Sequence, residues 1–302
     1  MPSEFIKHDE FRFLVDCGEG TQRQILLSGI GFKKLNKILI THSHLDHILG
    51  LAGLLSTLIR WETMEEMDIY GGNDAIDRIE DLIYSVVLKG GHTDAPLNFH
   101  RLVPGVFLDE DNFQVSCFPV IHRGSDSFGF RFQEKSHRPF LADKAAELNI
   151  PSGPWRRDLV DGKSVQLPDG RLITPDQVLG ENVDGTSLVM IGDVGNVEPL
   201  KEYVSGADAM TIESTYLEAD AEMAKKYSHM TARKSAEFAR DAGVKSLFLT
   251  HISRRYYDRD VLNEARAVFP SVILAKDLAS FTIKKQNSGE QQAAVSETDE
   301  KK

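Results

Sequence analysis

The sequence predicts a layered α/β fold, and three observations carry that prediction. Short apolar runs bounded by turn residues alternate with segments of helical apolar spacing along most of the 302 residues. Elements alternating in this way bury their apolar faces as sheets covered by helices. Apolar residues make up 41% of the chain and charged residues 27%, which suits one large globular domain, expected over residues 1–285.

Residues 11–15 read as a strand that ends in the polar turn Asp16-Cys17-Gly18-Glu19-Gly20. Residues 37–40 form a second strand and lead into a cluster of histidines. Over 48–61, Leu51, Leu54, Leu55 and Leu58 fall at helical spacing. A strand at 67–70 precedes a helix over 73–88, and 113–121 with 127–133 read as paired strands. From 134 to 181 the periodicity decays among Pro139, Pro151, Gly153-Pro154, Pro168-Asp169-Gly170 and Pro175. An irregular stretch of that length reads as a projecting arm. Strands follow at 187–191, 209–212, 246–249, 272–275 and 281–283, with helices at 231–242 and 260–268. The polar residues 286–302 are expected to be a disordered tail.

The net charge of −11, from 35 Lys and Arg against 46 Asp and Glu, argues against a generic nucleic-acid coat. It leaves room for a local basic patch, because binding responds to the local field. The longest apolar stretch, 48–59, is too short to span a bilayer, so no membrane association is expected. The opening residues carry mixed charge at Lys7, Asp9 and Glu10 rather than a secretory pattern. The two cysteines, Cys17 and Cys117, build neither a disulfide scaffold nor a metal-ligand spacing, and the expected location is the cytoplasm.

His42-Ser43-His44-Leu45-Asp46-His47 sits between a strand and a helix. Three imidazoles and a carboxylate within six residues are metal-site chemistry. In extended chain His42 and His44 project to one side and can reach one ion. Asp46 and His47, at the turn into the helix, can face a second. Chance H-x-H-x-D-H matches in such a sequence arise on the order of 10⁻³ times, so a surface histidine cluster is the poorer reading. His122, Asp193 and His251 each follow a strand, where ligands in layered α/β folds converge. One such residue alone reads as structural; three after a complete motif read as ligands.

The pattern H-x-H-x-D-H with later strand-end His, Asp and His resembles the metallo-β-lactamase superfamily. Within it, residues 11–283 resemble the ribonuclease Z family of tRNA 3′-processing endonucleases. The resemblance rests on the run from Phe13 to Gln22, on Ile40-Thr41-His42, on Gly50-Leu51-Ala52-Gly53-Leu54-Leu55, and on His122 followed by Asp126-Ser127-Phe128-Gly129. Ile150-Pro151-Ser152-Gly153-Pro154 is similar to the family's tRNA-gripping arm. Ile212-Glu213-Ser214-Thr215, His229-Met230-Thr231 and the run Leu249 to Tyr256 complete it.

The resemblance implies a four-layer αβ/βα metallo-β-lactamase-like sandwich with a projecting tRNA-binding arm at 134–181. It implies two zinc ions per chain: one held by His42, His44 and His122, one by Asp46, His47 and His251, with Asp193 bridging. Asp46 would orient or deprotonate the attacking water. His229, partnered by Glu213, would protonate the departing 3′ oxygen. Asp16 is a candidate acceptor fixing a ligand ring, or a turn-capping carboxylate. The substrate implied is precursor tRNA, and the active form a homodimer in which each arm serves the partner subunit. From 134 to 171, seven basic residues face six acidic ones, and Arg156 and Arg157 beside Trp155 are the candidates for phosphate contact and stacking.

Several residues depart from the family. The N-terminal strand and the Pro/Lys/Arg/Asn-bearing loop that normally precede Phe11 are expected to be lacking, either through a truncated or mis-assigned start, the favoured reading, or through loss of part of the substrate contact. Ile212 stands where His is frequent, Met230 where Ser is common, and Leu45 where Gly is usual. Two other readings stay open: a hydrolase of a small phosphodiester, thioester or lactone in the same superfamily, which would not need the arm, and a non-catalytic RNA-binding relative.

Overall fold

A computed structural model of the chain describes residues 2–62, 64–124, 126–285 and the strand 295–297. Its strands in chain order are β1 (Glu4–His8), β2 (Phe11–Val15), β3 (Leu35–Leu39), β4 (Met67–Gly71), β5 (Leu97–Arg101), β6 (Gly105–Asp109), β7 (Phe113–Val120), β8 (Ser127–Glu134), β9 (Val165–Gln166), β10 (Leu172–Ile173), β11 (Ser187–Met190), β12 (Ala209–Glu213), β13 (Ser246–Thr250), β14 (Val272–Leu274), β15 (Phe281–Ile283) and β16 (Val295–Glu297). One sheet runs β1-β2-β3-β4-β5 and the other β14-β13-β12-β11-β8-β7-β6. From β2 to β5 and from β11 to β14 neighbours are parallel; β1 and the β6-β7-β8 meander pair antiparallel.

Strand alternation sorts the apolar side chains into three layers. Phe13, Val15 and Leu39 from the first sheet meet Phe113, Val115, Cys117, Phe130, Phe132 and Met190 from the second, forming the seam between the sheets. Leu14, Ile38 and Ile69 point the other way, onto helices Gly50–Arg60 and Asn73–Glu80. On the far side Val189, Met210, Ile212, Leu247 and Leu249 pack on helices Ala232–Asp241 and Asp258–Arg266. The order helix, sheet, sheet, helix is the four-layer sandwich the resemblance implied.

A strand does precede Phe11: β1 pairs with β2 along its whole length, which corrects the expectation that none was present. Strands β5 and β6 and helix Thr21–Ser28 also went unread. The strands lie at sheet edges with no fully buried side chain, and the helix buries only Thr21 and Ile25, so none shows a strong apolar period.

The segment expected to be irregular is instead folded. The chain leaves β8 at Glu134 and returns through a paired stalk in which His137 faces Val183 and Phe140 faces Leu179. Beyond it, helices Ala142–Glu147 and Pro154–Val160 and the β9–β10 hairpin enclose a separate core of Ala145, Ile150, Leu159, Val165, Leu167, Ile173 and Val178. Elements this short give no periodicity to read. Of the expected disordered tail, residues 286–294 and 298–302 lie outside the described residues, whereas Val295–Glu297 pairs with Phe281–Ile283. Among the described residues no helix is long and apolar enough to cross a membrane.

Candidate metal centre and active site

β3 delivers the chain to Thr41-His42-Ser43-His44, and the four-residue helix Leu45–Ile48 places Asp46 and His47 in its single turn. His122, Asp193 and His251 follow β7, β11 and β13 in the second sheet. Two glycines allow the approach of these loops. A Cβ on Gly50 would collide with the Gly18 carbonyl, and one on Gly192 would meet the Thr41 side chain at 2.8 Å. His251 takes a left-handed φ of 51°, a backbone conformation uncommon among non-glycine residues.

Asp193 stands between two groups of side chains. Its Oδ2 lies 3.8 Å from both His42 Nε2 and His122 Nε2, and its Oδ1 lies 3.5 Å from both His47 Nε2 and His251 Nε2. His44 brings Nδ1 to 2.9 Å from His42 Nε2. Asp46 Oδ2 completes the second group, 3.4 Å from His251 Nε2 and 3.7 Å from His47 Nε2. Donor atoms of His42, His44, His122 and Asp193 lie within 4.8 Å of one another, as do those of Asp46, His47 and His251.

The outer ring nitrogens are held by acceptors, which fixes the direction of the inner ones. His47 Nδ1 donates to Asp16 Oδ2 at 2.7 Å. The Thr41 hydroxyl donates to the same carboxylate at 2.8 Å and lies 3.0 Å from His42 Nδ1, so a proton on that nitrogen points to Thr41. His122 Nδ1 donates to the Ser228 carbonyl at 2.8 Å, and His251 Nδ1 lies 3.0 Å from Thr215 Oγ1. Asp16 is thus both a turn carboxylate and a ring-orienting acceptor.

The electrostatics match a cation site. Burial holds His42 neutral, down to about 2, and His122 down to about 4, and it also lowers His44. Neutral imidazoles have the lone pair that a metal needs. Burial alone would lower His47 as well, but the Asp16 and Asp193 carboxylates outweigh it and raise His47 to about 10. Burial opposes ionisation of Asp193, yet the surrounding imidazoles hold it well below the usual carboxylate range. The hydrogen bond from His251 does the same for Asp46. His47 Nε2 and Asp193 Oδ1 are buried and make no hydrogen bond among the described residues. Orphaned polar atoms converging in a buried pocket suit a divalent cation, and the mix of imidazole and carboxylate donors suits zinc or its neighbours. The residues therefore fit the metals that the sequence implied.

His229 lies at the edge of this centre, its ring 5.2 Å from that of His122 and 5.7 Å from that of His251. Its Nδ1 faces both oxygens of the fully buried Glu213 at 2.9 and 3.0 Å, which leaves Nε2 as its outward nitrogen. Glu213 is fixed in turn by the Val194 amide at 2.7 Å and the Thr215 hydroxyl.

Known proteins are similar to this chain along most of its length. A family model described as "Beta-lactamase superfamily domain" matches residues 162–252, and one described as "Anti-Pycsar protein Apyc1" matches 3–149. Ribonuclease Z of Bradyrhizobium diazoefficiens is 45% identical over 272 residues, covering 90% of each chain. Ribonuclease Z of Methanothermobacter thermautotrophicus is 37% identical over 279 residues, covering 91% of this chain and 89% of its own. The chain belongs to the ribonuclease Z family of endoribonucleases. In fold, the crystal structure of human tRNase Z, short form, superposes with a TM-score of 0.66 at 24% identity, over 94% of this chain and 93% of that one.

Every ligand candidate carried over from the ribonuclease Z family converges on this one pocket; the arm residues do not join it. Arg156 donates to the Ile150 carbonyl at 2.7 Å and packs over Phe140, and Trp155 rests on the arm's own core. Both hold the arm's fold together, and Arg157 is the exposed member of the pair. Sequence reasoning passed over Thr41, Thr215 and the Ser228 carbonyl. The two threonines lie inside the ribonuclease Z motifs at 40–42 and 212–215, a usable signal, whereas a main-chain acceptor has no side-chain signature.

Proposed function

We propose that the chain is a zinc-dependent endoribonuclease that removes the 3′ trailer from precursor tRNA in the cytoplasm. The observation that carries the reading is the split of Asp193, one oxygen toward His42 and His122 and the other toward His47 and His251. That is the arrangement of a carboxylate between two cations. His42, His44 and His122 would hold one ion, Asp46, His47 and His251 the other, and Asp193 both. When bound, such ions would supply polarisation of a phosphodiester and a lowered pKa for an attacking water.

The chain's own groups supply the rest. Asp46, half-exposed at the pocket mouth, orients that water and accepts its proton. His229 presents Nε2 toward the leaving side and protonates the departing 3′ oxygen, while Glu213 fixes its ring through Nδ1. Asp16 and Thr41 keep His47 and His42 pointing inward. Names of relatives support precursor tRNA as substrate, and the folded arm supports a large one. The arm reaches tRNA bound at the partner subunit, so the active form is a two-fold homodimer.

The test joins elemental analysis with cleavage of a precursor tRNA by purified protein. Two zinc ions per chain and a product ending in a 3′ hydroxyl are expected. One ion or none in protein kept from chelators removes the two-cation reading. Hydrolysis of small phosphodiesters without cleavage of precursor tRNA replaces the substrate assignment.

A further inference from the structure

A chain of net charge −11 has to present cations locally to bind RNA, and three of the arm's basic residues are engaged by its own carboxylates. Arg138 pairs with Asp176 at 2.7 Å, Arg171 with Asp169 at 2.7 Å, and Lys163 with Asp158 at 3.6 Å. The rim of the metal centre differs. Arg123 directly follows the ligand candidate His122, in a left-handed backbone conformation with φ 44°. Its Nε donates to the Tyr227 carbonyl at 2.9 Å, and its guanidinium lies over the Tyr227 ring, 5.4 Å from the centroid. Lys226 places Nζ over the same ring, also at 5.4 Å. Among the described residues neither cation has a carboxylate within 4.0 Å, and Arg123, Lys226 and Tyr227 are all exposed.

We propose that Arg123 and Lys226, ordered on Tyr227, form a phosphate clamp that grips the RNA backbone beside the scissile bond; this rests on the endoribonuclease reading above. The clamp is built into the site. Adjacent carbonyls of one turn, Tyr227 and Ser228, receive Arg123 Nε and His122 Nδ1 respectively. The next residue of that turn is His229. The loop carrying a ligand candidate and the loop carrying the candidate acid are thus stitched together, and both cations sit on the stitch. With Nε committed to the backbone, Arg123 keeps its two Nη groups for the oxygens of one phosphate, a geometry that lysine cannot reproduce. Lys226 adds a point charge. Cation–π contact with Tyr227 holds both side chains ready, lowering the entropy lost when RNA binds.

The experiment measures precursor-tRNA affinity against salt in an Asp46→Ala background, where turnover does not consume the ligand. Lys226→Gln and Arg123→Gln should each weaken binding and flatten the slope of log K against log salt by about 0.7 to 0.9. Lys226→Arg should restore the slope, Tyr227→Phe should keep it, and Tyr227→Leu should flatten it and weaken binding. Arg123 also ties down a backbone carbonyl, so the Lys226 pair, free of any backbone bond, decides the question. An unchanged slope in Lys226→Gln overturns the clamp and leaves the endoribonuclease reading standing. Tight, clamp-dependent binding by a parent protein that never cuts precursor tRNA supports the clamp and overturns that reading. A parent protein that does not bind precursor tRNA overturns both.

Discussion

Asp16 and His47, 31 residues apart in sequence, meet at 2.7 Å with the carboxylate facing Nδ1, while Nε2 of the same ring faces Asp193 and Asp46. A turn after one strand therefore sets the direction of a ligand delivered by the next. Asp16 reaches that position in a left-handed conformation (φ 56°), and its Oδ1 and Oδ2 also take the Thr41 amide and hydroxyl at 2.8 Å.

Replacing Asp16 by Asn removes the charge that orients His47 and loosens Thr41, on which His42 leans. Metal affinity should fall about 10- to 100-fold, the usual cost of losing an outer acceptor. Competition with a zinc-sensitive chelator measures it. Affinity within threefold of the parent protein would mean that Asp16 only shapes the turn.

Metal-free protein should be most stable near neutral pH. His42 and His122 stay neutral in the folded chain down to about 2 and about 4, whereas in the unfolded chain both protonate near 6.5. Between pH 6.5 and 4 the unfolded state binds more protons, so stability falls with acid, by up to about 2.7 kcal/mol per pH unit for two protons. His47 acts in the opposite direction. It stays protonated up to about 10 when folded, so its contribution is complete below 6.5 and is lost as pH rises through 10. Bound metal takes the place of that proton on Nε2, so the alkaline decline should vanish in the metal-loaded protein. Thermal melts across pH, with and without zinc, report both limbs.

Asp46→Ala should abolish cleavage while leaving the fold intact, because the Asp46 side chain is half-exposed at the pocket mouth rather than part of a core. His229→Ala should slow cleavage by about 10²-fold or more, the size of a general acid's contribution. An RNA carrying a better leaving group at the 3′ position should partly rescue the His229 variant and not the Asp46 one. Equal rescue of both would show that the acid is misassigned.

Excising residues 138–182 between the paired His137 and Val183 removes the arm as a unit, because its core is its own. Precursor-tRNA affinity should drop strongly, while hydrolysis of bis(p-nitrophenyl) phosphate continues. Arg157→Ala should flatten the salt dependence of binding by about one unit of slope. Arg156→Ala should act by loosening the arm, since that guanidinium holds the Ile150 carbonyl. Loss of small-substrate hydrolysis together with tRNA binding would mean that the arm supports the sandwich itself.

The layered sandwich and the ligand set were legible in the sequence because both rest on local patterns. Apolar alternation in β2, β7 and β12 reports which faces are buried, and His42, His44, Asp46 and His47 lie within six residues. His122, Asp193 and His251 could be read one by one as strand-end residues, but no spacing states which ion each would serve. That depends on how two sheets stack, and the stacking sends one oxygen of Asp193 to each group. Of the acceptors behind the rings, Asp16 stood in a readable turn and Thr215 inside a motif, but Ser228 acts through its main chain and has no side-chain signature. In the arm, helices of six and seven residues carry too few turns for an apolar period, so only the folded chain separates the core-bound Trp155 and Arg156 from the exposed Arg157. The sequence by itself determined which chemistry the chain carries, because residue type is a local property. Tertiary structure alone decided which atom of His47, His122 and His251 faces the centre, because that direction is set by partners tens to more than a hundred residues away.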